Sequence, residues 1–120
     1  MIMTLSKGMV VGMLLILYSS ISPAQNKKEK TSFTVYGNCE MCKNRIEAAL
    51  DVKGVAVAAW DEHTKLLTVI YRPSQISLDQ IHEHIAHAGH DTDLKKASEE
   101  AYTKLPDCCR YRENPDIHSH

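Results

Sequence analysis

Apolar and polar residues alternate from Thr31 to Gly37, with Phe33 and Val35 set against Thr34 and Tyr36, and this period of two predicts a first β-strand. Gly37 and Asn38 then turn the chain and the period lengthens. Cys42, Ile46, Ala49 and Leu50 form one stripe, with Lys43, Asn44, Glu47 and Asp51 off it, which predicts a helix over residues 41–52 that Gly54 ends. Val55, Val57 and Ala59 alternate through Trp60, residues 61–64 turn, and Leu67, Val69 and Tyr71 alternate again, the pattern of a hairpin. Pro73 stops the second arm. Ser77 is a suitable N-cap for a second helix carrying Leu78, Ile81, Ile85 and Ala88, with Gly89 as its C-cap. A short polar strand is expected over residues 92–95.

The predicted order is strand, helix, strand, strand, helix, strand. One antiparallel sheet with both helices on one face buries every apolar stripe, so the expected fold class is α+β, a ferredoxin-like βαββαβ sandwich. Past residue 95 the pattern weakens. Glu99 to Tyr102 reads as briefly helical before Leu105-Pro106-Asp107-Cys108-Cys109 breaks it, and the last few residues are expected to be loose.

The N-terminus changes the picture. Lys7 precedes an apolar run from Gly8 to Tyr18 and then the small and polar residues 19–24, the order of a secretory signal peptide with a cut after Ala24. The run is short of the ~20 residues a membrane span needs, and no Cys follows the cut to carry a lipid. The expected division is therefore a signal peptide at 1–24, a linker at 25–30, one domain at 31–95 and a Cys/His-containing tail at 96–120. The expected location is periplasmic or secreted, with no stable membrane insertion after cleavage. The formal net charge of −1 becomes −2 when Lys7 is removed, which gives no electrostatic case for nucleic acid.

Candidate chemistry gathers at Cys39-Glu40-Met41-Cys42, where the first strand gives way to the first helix. Helix N-termini favour anions, so the thiols there are drawn toward thiolate, the form that ligates metals and attacks disulfides. Two thiolates three residues apart can converge on one soft ion such as Cu(I), Hg(II) or Zn(II). The same pair at a helix start also suits thiol-disulfide exchange, although no Trp precedes it in the mature chain and the only inner prolines are Pro73 and Pro106. A structural disulfide is the third option.

This order of elements, with Cys-x-x-Cys after the first strand, resembles the heavy-metal-associated domain of copper chaperones, metal-transporting P-type ATPases and periplasmic mercury-binding proteins, over about residues 31–95. The resemblance implies that Cys39 and Cys42 are metal ligands, with Cu(I) first and Hg(II) or Zn(II) as alternatives. It also implies that the partner is a metal-transporting ATPase or another metal-accepting protein, and that the chain is not an enzyme. Tyr36-Gly37-Asn38 stands where that family usually has Gly-Met-Thr.

Four histidines, His82, His84, His87 and His90, surround the end of the second helix. His82-Glu83-His84 lacks the second His of a zinc-protease helix four residues on. A solvated face is expected for His82 and His84. His90 stands where the resembling family commonly has Tyr or Phe after Gly, and an imidazole there is either a third ligand, a hydrogen-bonding tuner of the thiolates, or packing. Cys108 and Cys109, with His118 and His120 behind them, are further metal-ligand candidates: they can bind an ion themselves, close over Cys39 and Cys42, or bridge to them when oxidised. Leu-Pro-x-Cys-Cys-x-Tyr resembles an extension on some exported bacterial members of the family.

Overall fold

The computed structural model describes residues 27–113. The expected signal peptide, His118 and His120 lie outside the described residues. Three strands, β1 (Glu29–Thr34), β2 (Val55–Trp60) and β3 (Leu66–Tyr71), form an antiparallel sheet in the order β1-β3-β2. Phe33 faces Leu67 across β1 and β3, and Trp60 faces Leu67 across β2 and β3. The period of two therefore sends Phe33, Trp60, Leu67, Val69 and Tyr71 to one buried face. Helices α1 (Glu40–Ala49) and α2 (Leu78–His87) cover that face with Cys42, Ile46, Ile81 and Ile85, all fully buried. Ser77 starts α2 with a reciprocal capping box to Gln80, and Gly89 follows its end at φ 104°. Among the described residues no helix is long and apolar enough to cross a membrane.

The fold class is the expected one, α+β with the ferredoxin-like arrangement, but the fourth strand is only one bridge long. Val35 pairs with Thr92, and the chain then curls, because Thr92 Oγ1 accepts the N–H groups of Leu94 and Lys95 (3.2 and 3.0 Å). A threonine that bonds the backbone ahead of it turns the chain where a strand would continue.

His82 also departs from expectation: it is buried, not solvated. Its ring stacks on Phe33 with centroids 4.0 Å apart, and Nδ1 lies 2.6 Å from Thr92 Oγ1. The cover comes from the curl at Thr92, ten residues later, which helix periodicity cannot reveal. His84 and His87 are exposed.

Beyond the domain the chain folds back. Helix α3 (Glu99–Thr103) and a 3-10 turn (Asp107–Cys109) bring Tyr102, Leu105, Cys109 and Tyr111 into the same core cluster as Ile46 and Ile85. Gly89 makes the seam. A Cβ there would stand 2.8 Å from Leu105 Cδ2, in a backbone conformation that side chains rarely adopt. The far end is tied by Arg112, which donates to both oxygens of Asp91 (2.7 and 3.1 Å), to Glu99 and to the Ala97 carbonyl. Tyr111 donates to Gly89 O and accepts from the Asp91 N–H, both at 2.8 Å.

His90 is completely buried between these parts, stacked on Tyr111 with Nδ1 2.8 Å from Tyr36 O. A carbonyl only accepts, so Nδ1 carries the proton. Burial drives its pKa down to about 4, against the bond to Tyr36, and burial lowers that of His82 as well.

Two outcomes follow from this packing. Gly89→Ala lowers stability by about 1–3 kcal/mol through the left-handed backbone and the clash with Leu105, read as a shift in the urea midpoint. For His82 and His90 the unfolded chain binds protons more readily than the folded one. The stability that this contributes is therefore fully present above the unfolded pKa of about 6.5 and is lost as pH falls toward 4, with His90 accounting for up to ~3 kcal/mol. Urea unfolding of the reduced, metal-free protein at pH 7.5, 5.5 and 4.5 should show this decline, and His90→Gln should flatten most of it.

Candidate metal centre

Cys39 enters α1 through extended backbone, as the N-cap at φ −155°. What fixes the approach is a close fit beneath the turn. A Cβ on Gly37 would lie 3.0 Å from Cys42 Cβ and 3.1 Å from the Trp60 ring, so the backbone rests against both. Trp60 Nε1 donates to Val35 O at 2.9 Å and His90 Nδ1 donates to Tyr36 O, which holds two successive carbonyls just upstream of the thiols. Trp60 is itself fixed to α1, since its N–H donates to Glu47 Oε2 and its carbonyl accepts from Lys43 Nζ.

The two cysteines of the turn have their Sγ atoms 3.5 Å apart. Both are buried, Cys39 being 6% exposed at the rim and Cys42 wholly enclosed, with its thiol donating to Asn38 Oδ1 at 3.2 Å. Their chemistry diverges accordingly. Burial works against the Cys39 thiolate, but the backbone N–H groups of Cys42 and Met41 at the open end of α1 and the thiols of Cys42 and Cys109 outweigh it, and its pKa lies below the ordinary thiol value. At Cys42 burial prevails over the Asn38 backbone N–H, which favours the thiolate, and the pKa is raised.

The tail brings the second pair to the same place. Cys109 Sγ is 3.6 Å from Cys39 Sγ, and Cys39, Cys108 and Cys109 present sulfurs that all lie within 4.8 Å of one another. Cys109 is fully buried and accepts a bond from Arg45 Nη1 at 3.1 Å. Burial pushes its pKa up to about 11, with Arg45 pulling the other way. Cys108 is partly exposed, 3.9 Å from Cys109 Sγ and 3.4 Å from the Met41 thioether. Partial desolvation and the adjacent Cys109 raise its pKa. A cleft of about 480 Å³ lined by Cys39, Glu40, Met41, Glu62 and Cys108 opens over the group. All four cysteines carry free thiols.

His90 stands behind the turn and outside this sulfur group. Its Nε2 is buried with no hydrogen-bond partner among the described residues. The sequence pattern does not single out Arg45, Asn38 or Met41. Asn38 adjoins Cys39 and Met41 adjoins Cys42, so both lie within the motif, whereas Arg45 meets a sulfur 64 positions away only because the tail folds back.

The family profile of the heavy-metal-associated domain matches residues 37–91, which include Cys39, Cys42 and His90 and stop short of Cys108 and Cys109. Among curated proteins none matches the chain. Among solved structures, one described as a copper-ion-binding protein from Bacillus anthracis shares 26% identity, covering 57% of this chain and 99% of its own, with a TM-score of 0.54. A CopZ metallochaperone shares 27% identity over 53% of this chain and 98% of its own, with a TM-score of 0.51. The N-terminal domain of a potential copper-translocating P-type ATPase from Bacillus subtilis, solved in the Cu(I)-loaded state, shares 32% identity over 61% of this chain, with a TM-score of 0.54. That match spans 94% of the Bacillus subtilis domain; with a profile match that runs through both thiols of the turn, the chain belongs to the heavy-metal-associated domain family.

Proposed function

We propose that this protein is an exported carrier of a soft metal ion, Cu(I) first, held by the Cys39 and Cys42 thiolates and passed by ligand exchange to a metal-transporting ATPase or another metal-accepting protein. The observation that carries the reading is the pair of sulfurs 3.5 Å apart at the start of α1 in a chain of this family. Soft sulfur donors select monovalent copper and similar ions over hard cations. The Cu(I)-loaded state of one structural relative and the copper-ion-binding description of another support copper over mercury or zinc.

The division of labour follows from the thiol environments. Cys39, at the rim and with a lowered pKa, gives up its proton to an incoming ion more readily; Cys42, buried behind it, completes the grip once the ion displaces its proton. Ligand exchange through these thiols makes and breaks metal-sulfur bonds and leaves no covalently altered substrate, so the reading is of a carrier rather than an enzyme. His90 acts from behind the turn, through Tyr36 O, on the position of the thiols. Work outside the cytoplasm accords with the leader-like residues 1–24.

Anaerobic titration of the reduced protein with Cu(I), in competition with a chromogenic Cu(I) chelator, tests this. One ion is expected per chain. Cys39→Ser and Cys42→Ser each should weaken binding by well over ~100-fold, beyond the ~10–100-fold that a change of an outer-shell partner costs; His90→Gln should stay inside that smaller range. Parallel titrations with Zn(II) and Hg(II) rank the metals, and retention of wild-type Cu(I) affinity by both serine variants would sink the assignment.

A further inference from the structure

This inference rests on the metal-binding reading above. We propose that Cys109 is a third protein ligand of the ion held by Cys39 and Cys42, so that the folded tail supplies in cis the sulfur that an acceptor would otherwise bring.

Spacing is the first argument. Ligand sulfurs about 2.3 Å from an ion stand ~4.6 Å apart across a linear two-coordinate site but only ~4.0 Å apart in a triangle. Cys39 Sγ has two sulfur neighbours at nearly equal distances, Cys42 at 3.5 Å and Cys109 at 3.6 Å. A linear ion would force the first pair apart by about 1 Å in a packed interior, whereas a three-sulfur ion opens each of these two Cys39 distances by less than half as much.

Charge is the second. Arg45 aims Nη1 at Cys109 Sγ, 3.1 Å away and fully buried. A neutral thiol is a poor acceptor and gives a guanidinium little reason to be there, while a thiolate makes a charge-assisted bond. Three thiolates around one monovalent ion carry a net charge of −2, and Arg45 offsets part of it where it is most costly.

Placement is the third. Cys109 reaches the turn because Arg112 is tied to Asp91, Glu99 and the Ala97 carbonyl and because Tyr111 is bonded to Gly89 and Asp91. Cys108, next in the chain, instead faces the cleft beside the Met41 thioether. Cys39 Sγ thus has the wholly buried Cys42 on its inner side, while Cys39, Cys108 and Cys109 form a sulfur group toward the cleft. The resting ion lies on the inner, buried side, and the cleft side is where an exchanging ligand arrives. In the transfer step one metal-sulfur bond forms to an acceptor thiolate as the bond to Cys109 breaks. The metal keeps its oxidation state, and the released Cys109 thiolate stays paired with Arg45 or takes a proton from water.

X-ray absorption on the Cu(I)-loaded protein reads the number of sulfurs directly. Three at about 2.3 Å are expected in the wild type and in Cys108→Ser, and two in Cys109→Ser. Loss of Cu(I) to excess bathocuproine disulfonate should be at least ~10-fold faster for Cys109→Ser. Arg112→Ala touches no sulfur and should speed that loss about 3- to 5-fold at unchanged stoichiometry, which keeps the test informative if Cys109→Ser folds poorly. A wild type with two sulfurs, or an Arg112→Ala release rate equal to wild type, overturns the proposal and leaves the carrier reading standing. A wild type that binds no Cu(I) overturns the carrier reading itself.

Discussion

Two successive backbone carbonyls, Val35 O and Tyr36 O, accept the ring N–H groups of Trp60 and His90, and the position of the thiols depends on that pair of bonds. The turn from Tyr36 to Cys39 leaves the sheet after the bridge at Val35 and the Tyr36 N–H bond to Asp91, and side chains hold it from beneath. Aromatic rings with one polar atom serve well here, because each fills space beneath the turn and still satisfies a buried carbonyl. One ring comes from β2 and the other from the loop after α2. The cysteine turn is therefore clamped between the sheet and the second helix, and strain in either reaches the sulfurs.

The environment of the four thiols is graded rather than uniform. Cys39 lies where the helix end favours negative charge, Cys42 and Cys109 lie where burial opposes it, and Cys108 is at the outer edge. A soft ion reverses these preferences, since coordination deprotonates a thiol whatever its free pKa. On the proposed reading, sulfurs kept as neutral thiols in the empty protein become charged together on loading, and Arg45 is a cation already in place beside Cys109.

Most of the domain was legible from hydrophobic periodicity. Phe33, Leu67, Val69 and Tyr71 fell on the buried face, and Cys42, Ile46, Ile81 and Ile85 on the helical stripes, because period and burial are tied by backbone geometry. The fourth strand is not legible as a single bridge, since a lone threonine side chain at position 92 competes with the ladder. The burial of His82 is hidden from the pattern for a related reason: its cover belongs to that curl and not to its own helix. The Cys-x-x-Cys pair announced itself by spacing, and Cys108 and Cys109 by their rarity. What no pattern shows is the distance between the pairs, which depends on Gly89, Leu105, Tyr111 and Arg112 packing together across some twenty residues.

The seam at Gly89 separates two boundaries that usually coincide. The family profile's match ends at Asp91, whereas the hydrophobic core runs on through Tyr102, Leu105, Cys109 and Tyr111. The packed interior thus extends past the matched segment, and the residues beyond it are interior rather than appendage. A gene fusion or domain graft cut at Asp91 would expose His90 and the face of Gly89 and leave two of the four cysteines behind. One that extends through Glu113 carries the whole interior with it.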